Sequence, residues 1–274
     1  MDRERLIEID SVGPHGRDDL PAELQRVDYT SCCDGLHDWA LVRRPASGTA
    51  PMVVVLHGHG SGGDQLWVRQ DLREKRWPFF EQSDFGIVSP NLRGNAWMGP
   101  AAAADLSGLV AVMLEHWGAR PVILDGGSMG GTGALIFSVL YPEVVSAVVA
   151  LCPATELAFY HRWCRDEPHE KAVVGEIADA IEAAYGGTPD DQPELYHRHS
   201  ALGRAYRLSM PVYLAHGTED DVIPFEQSAM VADALHRDGI ATLAPVPEGG
   251  HDAALELMPA GLAWVRGALS AGAG

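Results

Sequence analysis

Three side chains that could act together on a proton lie far apart in this chain. Ser128 sits in Gly126-Gly127-Ser128-Met129-Gly130, after the apolar run Pro121–Asp125 and before the apolar run Thr132–Tyr141. Strand, Gly-x-Ser-x-Gly, helix is the spacing of a sharp turn that exposes a serine hydroxyl at the edge of a sheet. Residues two before and two after such a serine approach each other closely, so Gly126 and Gly130 are the small residues the turn needs. Gly127 and Gly131 are expected to relax it further. The following helix aims its N-terminus at an oxygen that gains negative charge when the hydroxyl attacks a carbonyl. A glycine-rich turn around a buried, inert serine is the alternative, and the rest of the chain decides between the two.

A serine nucleophile requires a base, an acid to orient that base, and donors for the oxyanion. His251, in Glu248-Gly-Gly-His251-Asp252, is the candidate base, because its flanking glycines let a loop carry the ring over the sheet. The acid belongs to His216-Gly-Thr-Glu219-Asp220-Asp221-Val-Ile-Pro224, and spacing alone leaves Glu219, Asp220 and Asp221 open. The backbone N–H of Met129 is one candidate oxyanion donor, and that of His59, in His57-Gly58-His59-Gly60, is the other. Trp97, Met98, Phe159, Tyr160, Trp163 and Ile223 follow the predicted strands where a substrate pocket would lie, although each also fits core packing. Arg93 and Arg162 could meet a substrate carboxylate but fit ordinary ion pairs better.

Two rival chemistries fit poorly. Gly58-x-Gly60-x-x-Gly63 has the form of a dinucleotide fingerprint, but Asp84 precedes the next strand where the fingerprint wants an acid after it. The pairs His57/His59 and His197/His199 lack the further Cys or Glu of a tetrahedral metal site. No metal or other cofactor is expected.

The elements that must position these residues alternate. Met52–His57, Phe85–Ser89, Val122–Asp125, Val145–Leu151, Val212–Ala215 and Thr242–Val246 are apolar runs of buried-strand character. Ala101–Trp117, Glu226–Arg237 and Ala253–Leu269 carry apolar residues at helical spacing. Strands alternating with such helices predict βαβ units and a mostly parallel sheet flanked by helices. Gln25–Cys32 and Trp39–Arg43 predict an antiparallel pair around Asp34-Gly35, and residues 1–22 read as an irregular arm or short helix. Residues 155–204 lack a strand signal and contain the amphipathic stretch Ala172–Tyr185, which predicts a small helical cap inserted within a single domain spanning 1–274.

Composition narrows the partners. With 38 acidic against 20 basic residues the net charge is -18, which argues against nucleic acid and anionic membrane surfaces. No apolar run approaches the ~20 residues of a membrane span. The first residues lack the apolar core of a signal peptide, so a cytoplasmic protein is expected. Cys32, Cys33, Cys152 and Cys164 form no CxxC pair and are expected to be buried free thiols. Nothing in the sequence sets an oligomeric state.

The motifs HGHG, GGSMG, HGTEDDVIP and GGH, in this order, resemble the α/β-hydrolase superfamily over roughly residues 25–270. The resemblance implies an α/β-hydrolase fold and selects Asp220 as the acid through the pattern His-Gly-x-x-Asp-x-x-Val-Pro. It also implies oxyanion amides at His59 and Met129. Ser128-Met-Gly-Gly-Thr-Gly-Ala and His216–Pro224 are similar to bacterial carboxylesterases, feruloyl- and acetyl-esterase-like members included, and to the catalytic domain of prolyl-oligopeptidase-type peptidases. Those peptidases carry a large propeller, for which this chain has no room. The implied activity is hydrolysis of small carboxylic esters through an acyl-enzyme. A small peptidase or amidase, or a non-catalytic binding protein of the same fold, would be the alternative.

Overall fold

A computed structural model of the chain describes residues 6–118, 120–166, 169, 171–236 and 239–271. Nine strands form one sheet: β1 (Ile7–Pro14), β2 (Gln25–Ser31), β3 (His37–Arg43), β4 (Met52–Leu56), β5 (Gly86–Pro90), β6 (Val122–Gly127), β7 (Ala147–Leu151), β8 (Val212–Gly217) and β9 (Ala241–Val246). Their order is β1-β2-β3-β5-β4-β6-β7-β8-β9. β1 to β3 pair antiparallel, β3 joins β5 antiparallel, and β5 through β9 are parallel. The expected α/β-hydrolase architecture is therefore present.

The continuous apolar runs of β4 to β8 are buried because both faces of the sheet are covered, whereas β9, expected to share that character, is an edge strand with no fully buried residue. Met52, Val54 and Leu56 of β4 point into one core with the helices Pro100–Trp117 and Met129–Leu140. Val53 and Val55 point into the other, with the helix Met258–Ala271 and the short helices Gln65–Val68, Gln70–Lys75 and Trp77–Glu81. Each such fully buried Val or Leu stabilises the fold by about 1.5–3 kcal/mol, so the sheet gives the loops at its carboxyl edge a rigid base.

Three expectations are corrected. Residues 7–14 form a strand, not an irregular arm or helix. Only Ile7 is buried in it, so its sequence lacks the apolar alternation of a half-buried strand, and pairing with β2 supplies the order. The helix expected over Ala253–Leu269 is split into a 3₁₀ turn, His251–Leu257, and the helix Met258–Ala271. Pro259 lacks an N–H and crowds the carbonyl four residues earlier, so a helix can begin there but not pass through. Cys32 and Cys33 are exposed on the β2–β3 turn, whereas Cys152 and Cys164 are buried; all four are free. The helix expected over Glu226–Arg237 runs Glu226–His236, and Arg237 lies outside the described residues.

Between β7 and β8 the chain forms the helices Leu157–Asp166, Val173–Tyr185 and Pro193–Arg198 and a 3₁₀ turn, Ala205–Arg207. They pack on the loops that follow β5 and β8. Tyr185 Oη–H donates to Trp97 O at 3.2 Å, and Tyr160 Oη–H donates to Val222 O at 3.0 Å. Among the described residues no helix is long and apolar enough to cross a membrane.

Candidate active site

Ser128 has φ 57° and ψ -124°, in the left-handed region that a residue with a Cβ rarely adopts. The surrounding glycines make this turn possible. A Cβ on Gly126 would lie 2.4 Å from Gly130 C, and one on Gly130 would lie 2.2 Å from Leu56 O. Gly127 and Gly131 do not relax the turn by unusual backbone angles, since neither has a positive φ. They instead permit close packing: a Cβ on Gly127 would meet Leu255 Cδ2 at 2.2 Å, and one on Gly131 would meet Leu151 O at 2.9 Å.

His251 reaches this serine on a loop fixed to the end of β8. Thr218 N–H donates to Val246 O at 3.0 Å, Glu219 N–H to Gly249 O at 2.9 Å, and Glu248 N–H to Thr218 Oγ1 at 2.9 Å. Gly217 has no room for a Cβ, which would lie 2.2 Å from Gly249 O. The contact of Leu255 with Gly127 seats the following 3₁₀ turn on the serine turn itself. His251 Nε2 lies 2.9 Å from Ser128 Oγ, and His251 Nδ1 lies 2.7 Å from Asp220 Oδ2. An ionised carboxylate can only accept, so Nδ1 carries the proton and Nε2 is free to accept from the serine hydroxyl.

The Asp220 side chain is fully buried. Burial alone would raise its pKa, but hydrogen bonds from His216 and His251 outweigh burial and hold the carboxyl well below the usual carboxylate range. Its Oδ1 also accepts the N–H groups of Val222 and Ile223, both at 2.9 Å. Asp221 instead pairs with Lys171 at 2.5 Å, which separates the acids that spacing left open.

His216 has no role in the sequence analysis, yet it is completely buried with Nε2 3.1 Å from Asp220 Oδ2. Its Nδ1 lies 2.8 Å from Ser228 Oγ. The only available signal was its place at the end of β8 within the motif that holds Asp220. Cys152 was missed as well. It is buried with φ 42°, and burial beside Asp220 pushes its thiol up. Among the described residues the one group of three or more candidate metal-binding side chains is Cys152, Asp220 and His251, whose ligand atoms lie within 4.8 Å of one another. Neither histidine pair singled out by the sequence belongs to it.

The loop after β4 borders the serine, since a Cβ on Gly58 would lie 3.9 Å from Ser128 Cβ. Gly58 N–H donates to Gln65 Oε1 and Gly60 N–H to Asn95 Oδ1, both at 2.7 Å. His59 is thus held between two anchored glycines. Met129 is the first residue of its helix, so its N–H is one that the helix leaves unused.

The expected pocket residues divide. Trp97, Tyr160 and Ile223 are at most 1% exposed and Met98 is 4% exposed, so they stand in the core behind the site instead of forming an open surface. The cause is mutual packing: Tyr160 lies 5.7 Å from Trp97 and 5.9 Å from Trp163, ring to ring. Trp163 is partly buried against the same core, and Phe159 is half exposed. Trp97, Met98 and Met129 border a cavity of about 20 Å³. Arg93 is engaged by Asp34 and Asp105, and Arg162 by Asp190, which leaves both as structural ion pairs.

His199 ties the helical segment to this region. Its Nδ1 lies 3.1 Å from Met98 O, and Tyr185 Oη lies 3.1 Å from the same nitrogen. Burial pushes His199 down to about 4. The unfolded chain, with an ordinary imidazole near ~6.5, then binds the proton more readily, so stability falls as pH falls from ~6.5 toward about 4. His199→Asn keeps an amide donor for Met98 O without the titration. Its melting temperature should drop less than the wild type's between about pH 7.5 and about pH 5, as followed by circular dichroism.

The α/β-hydrolase fold family model matches residues 51–195, more than half of the chain. The chain belongs to the α/β-hydrolase family. Among curated relatives of this α/β hydrolase, a mitochondrial palmitoyl-protein thioesterase of Mus musculus is 27% identical over 131 residues, 46% of this chain and 44% of the relative. The chain thus matches less than half the length of that relative. Est1E from Butyrivibrio proteoclasticus superposes with a TM-score of 0.64 at 15% identity, over 87% of this chain and 97% of that one. A puromycin-hydrolysing peptidase of Mycobacterium tuberculosis superposes with a TM-score of 0.65 at 17% identity, over 95% of this chain and 45% of that one. At such identities the superpositions speak to the fold of this α/β hydrolase.

Proposed function

We propose that this α/β hydrolase is a serine carboxylesterase acting on small ester substrates, with Ser128, His251 and Asp220 as its catalytic triad. The observation that carries this is the unbroken line from Ser128 Oγ to His251 Nε2, 2.9 Å, and from His251 Nδ1 to Asp220 Oδ2, 2.7 Å. Ser128 Oγ attacks the ester carbonyl as His251 Nε2 takes its proton, and the N–H groups of His59 and Met129 hold the oxyanion. The tetrahedral species collapses with transfer of that proton from Nε2 to the leaving alcohol. Water, deprotonated by the same nitrogen, then releases the acid and restores the serine. Residues 155–204 act as a cap, with the half-exposed Phe159 as one of its substrate contacts. No metal, organic cofactor, nucleic acid or membrane takes part. The four free cysteines suit a reducing, cytoplasmic setting.

Ester, thioester and p-nitroanilide of one acyl group test the bond preference. The ester should be turned over with the highest kcat/KM and the anilide not detectably. Faster turnover of the thioester or anilide would replace the carboxylesterase assignment with a thioesterase or with an amidase or peptidase; a thioesterase and a peptidase are named among the similar proteins.

A further inference from the structure

His59 offers more than its backbone amide. The buried Trp97 donates its indole N–H to His59 Nδ1 at 3.2 Å. An indole nitrogen only donates, so His59 Nδ1 holds a lone pair and a neutral ring carries its proton on Nε2. Burial lowers the His59 pKa below the ordinary imidazole value, in keeping with a neutral ring. The amide of Asn95 is oriented independently, because its Oδ1 accepts Gly60 N–H at 2.7 Å. This turns Asn95 Nδ2 toward His59 Nε2, 3.5 Å away.

Two N–H donors therefore face each other, and neither nitrogen can accept. Asn95 is exposed and His59 partly so. His59 belongs to the loop bordering Ser128, where Gly58 stands against Ser128 Cβ, and Asn95 is tied to that loop through Gly60 N–H. We propose that His59 Nε2–H and Asn95 Nδ2–H form a subsite for one acceptor oxygen of the substrate, a neutral carbonyl or ether oxygen separate from the ester being cut. A neutral oxygen is favoured over a carboxylate because both donors are uncharged, Glu176 acts on His59 as a nearby negative charge, and the chain as a whole carries a charge of -18. The substrate class is then an oxygen-bearing ester such as a keto or alkoxy ester. This rests on the carboxylesterase assignment above.

Two sets of esters test it, read by proton release in a pH-stat. One set moves a keto group along the acyl chain and the other along the alcohol chain, each with its plain hydrocarbon counterpart. In the wild type at least one keto ester should exceed its counterpart in kcat/KM by about 5- to 20-fold, the yield of two partly solvated hydrogen bonds. Asn95→Asp keeps an oxygen for Gly60 N–H and puts a second oxygen against His59 Nε2–H, closing the subsite. Its keto-to-plain ratio should fall to near one, and the ratio cancels any general change in activity. His59→Phe removes Nε2–H while keeping an aromatic ring, so it should lower the ratio too and decides the matter if Asn95→Asp does not fold. Plain esters cut with a ratio near one throughout the wild-type series would overturn the subsite alone. A wild-type preference that survives in a folded Asn95→Asp or His59→Phe variant would also overturn it. Failure to cut any ester would overturn the carboxylesterase assignment and the subsite together.

Discussion

Ser128→Ala should lower ester turnover by about 10⁶-fold, to the background that substrate binding and oxyanion donors still provide. The size follows from the absence of any substitute nucleophile in the described geometry. Among the described residues the one hydrogen bond formed by Ser128 Oγ runs to His251 Nε2, and the nearby thiol of Cys152 is buried, with its pKa pushed up. The fold should survive, because the turn is set by Ser128 N–H donating to Leu151 O at 2.8 Å and by the packing of Gly126 on Gly130, neither of which needs the hydroxyl. Circular dichroism and a melting curve alongside the kinetic assay separate lost chemistry from lost structure. A variant that folds and still cuts p-nitrophenyl esters near the wild-type rate removes Ser128 from the mechanism.

Asp220→Asn should be nearly as damaging, with kcat down by about 10⁴-fold. The buried carboxylate accepts from four donors: His251 and His216 at Oδ2, Val222 and Ile223 at Oδ1. An asparagine can still accept the two backbone N–H groups through its oxygen. Its NH₂ then confronts two histidine nitrogens that were donating. His251 would turn its proton onto Nε2, facing the serine, and could no longer take the Ser128 proton. His216 Nε2–H would keep Ile223 O, 2.9 Å away, as an acceptor but would lose the carboxylate, at a cost of about 1.5–3 kcal/mol, the worth of a hydrogen bond to a charged group. The melting temperature should therefore fall by a few degrees along with the activity. Loss of melting temperature without loss of kcat would mean that Asp220 serves the fold alone.

The serine turn is legible in the sequence because its motif is local. Gly126, Ser128 and Gly130 needed only their spacing to announce a steric turn, and the close approaches of 2.4 and 2.2 Å for absent Cβ atoms are what that spacing encodes. Strands β4 to β8 were legible because burial on both faces demands uninterrupted apolar residues. β1 was not, since an exposed edge strand is ordered by its partner and not by its own pattern. Nor were the short helices between Gln65 and Glu81, which are too brief to show a helical period.

Within the site, the choice of Asp220 over Asp221 required a loop path that neighbouring carboxylates share almost equally in sequence. Asp220 is turned inward by the Val222 and Ile223 amides, while Asp221 is turned out to Lys171. His216, Asn95 and Gln65 were hidden because their roles lie in contacts with residues brought close only by the folded sheet. Trp97 and Tyr160 carried the right types for a pocket, but aromatic residues at the end of a strand signal a core as readily as a binding surface, and these two pack against each other.

A fluorophosphonate probe followed by peptide mass spectrometry tests the central claim most directly. One adduct per chain on the peptide containing Ser128 should form in the wild type, form far more slowly in Asp220→Asn, and be absent from Ser128→Ala. Ester hydrolysis that continues in fully probe-treated protein, or an adduct that maps to another residue, would contradict the assignment of Ser128, His251 and Asp220 as one catalytic unit.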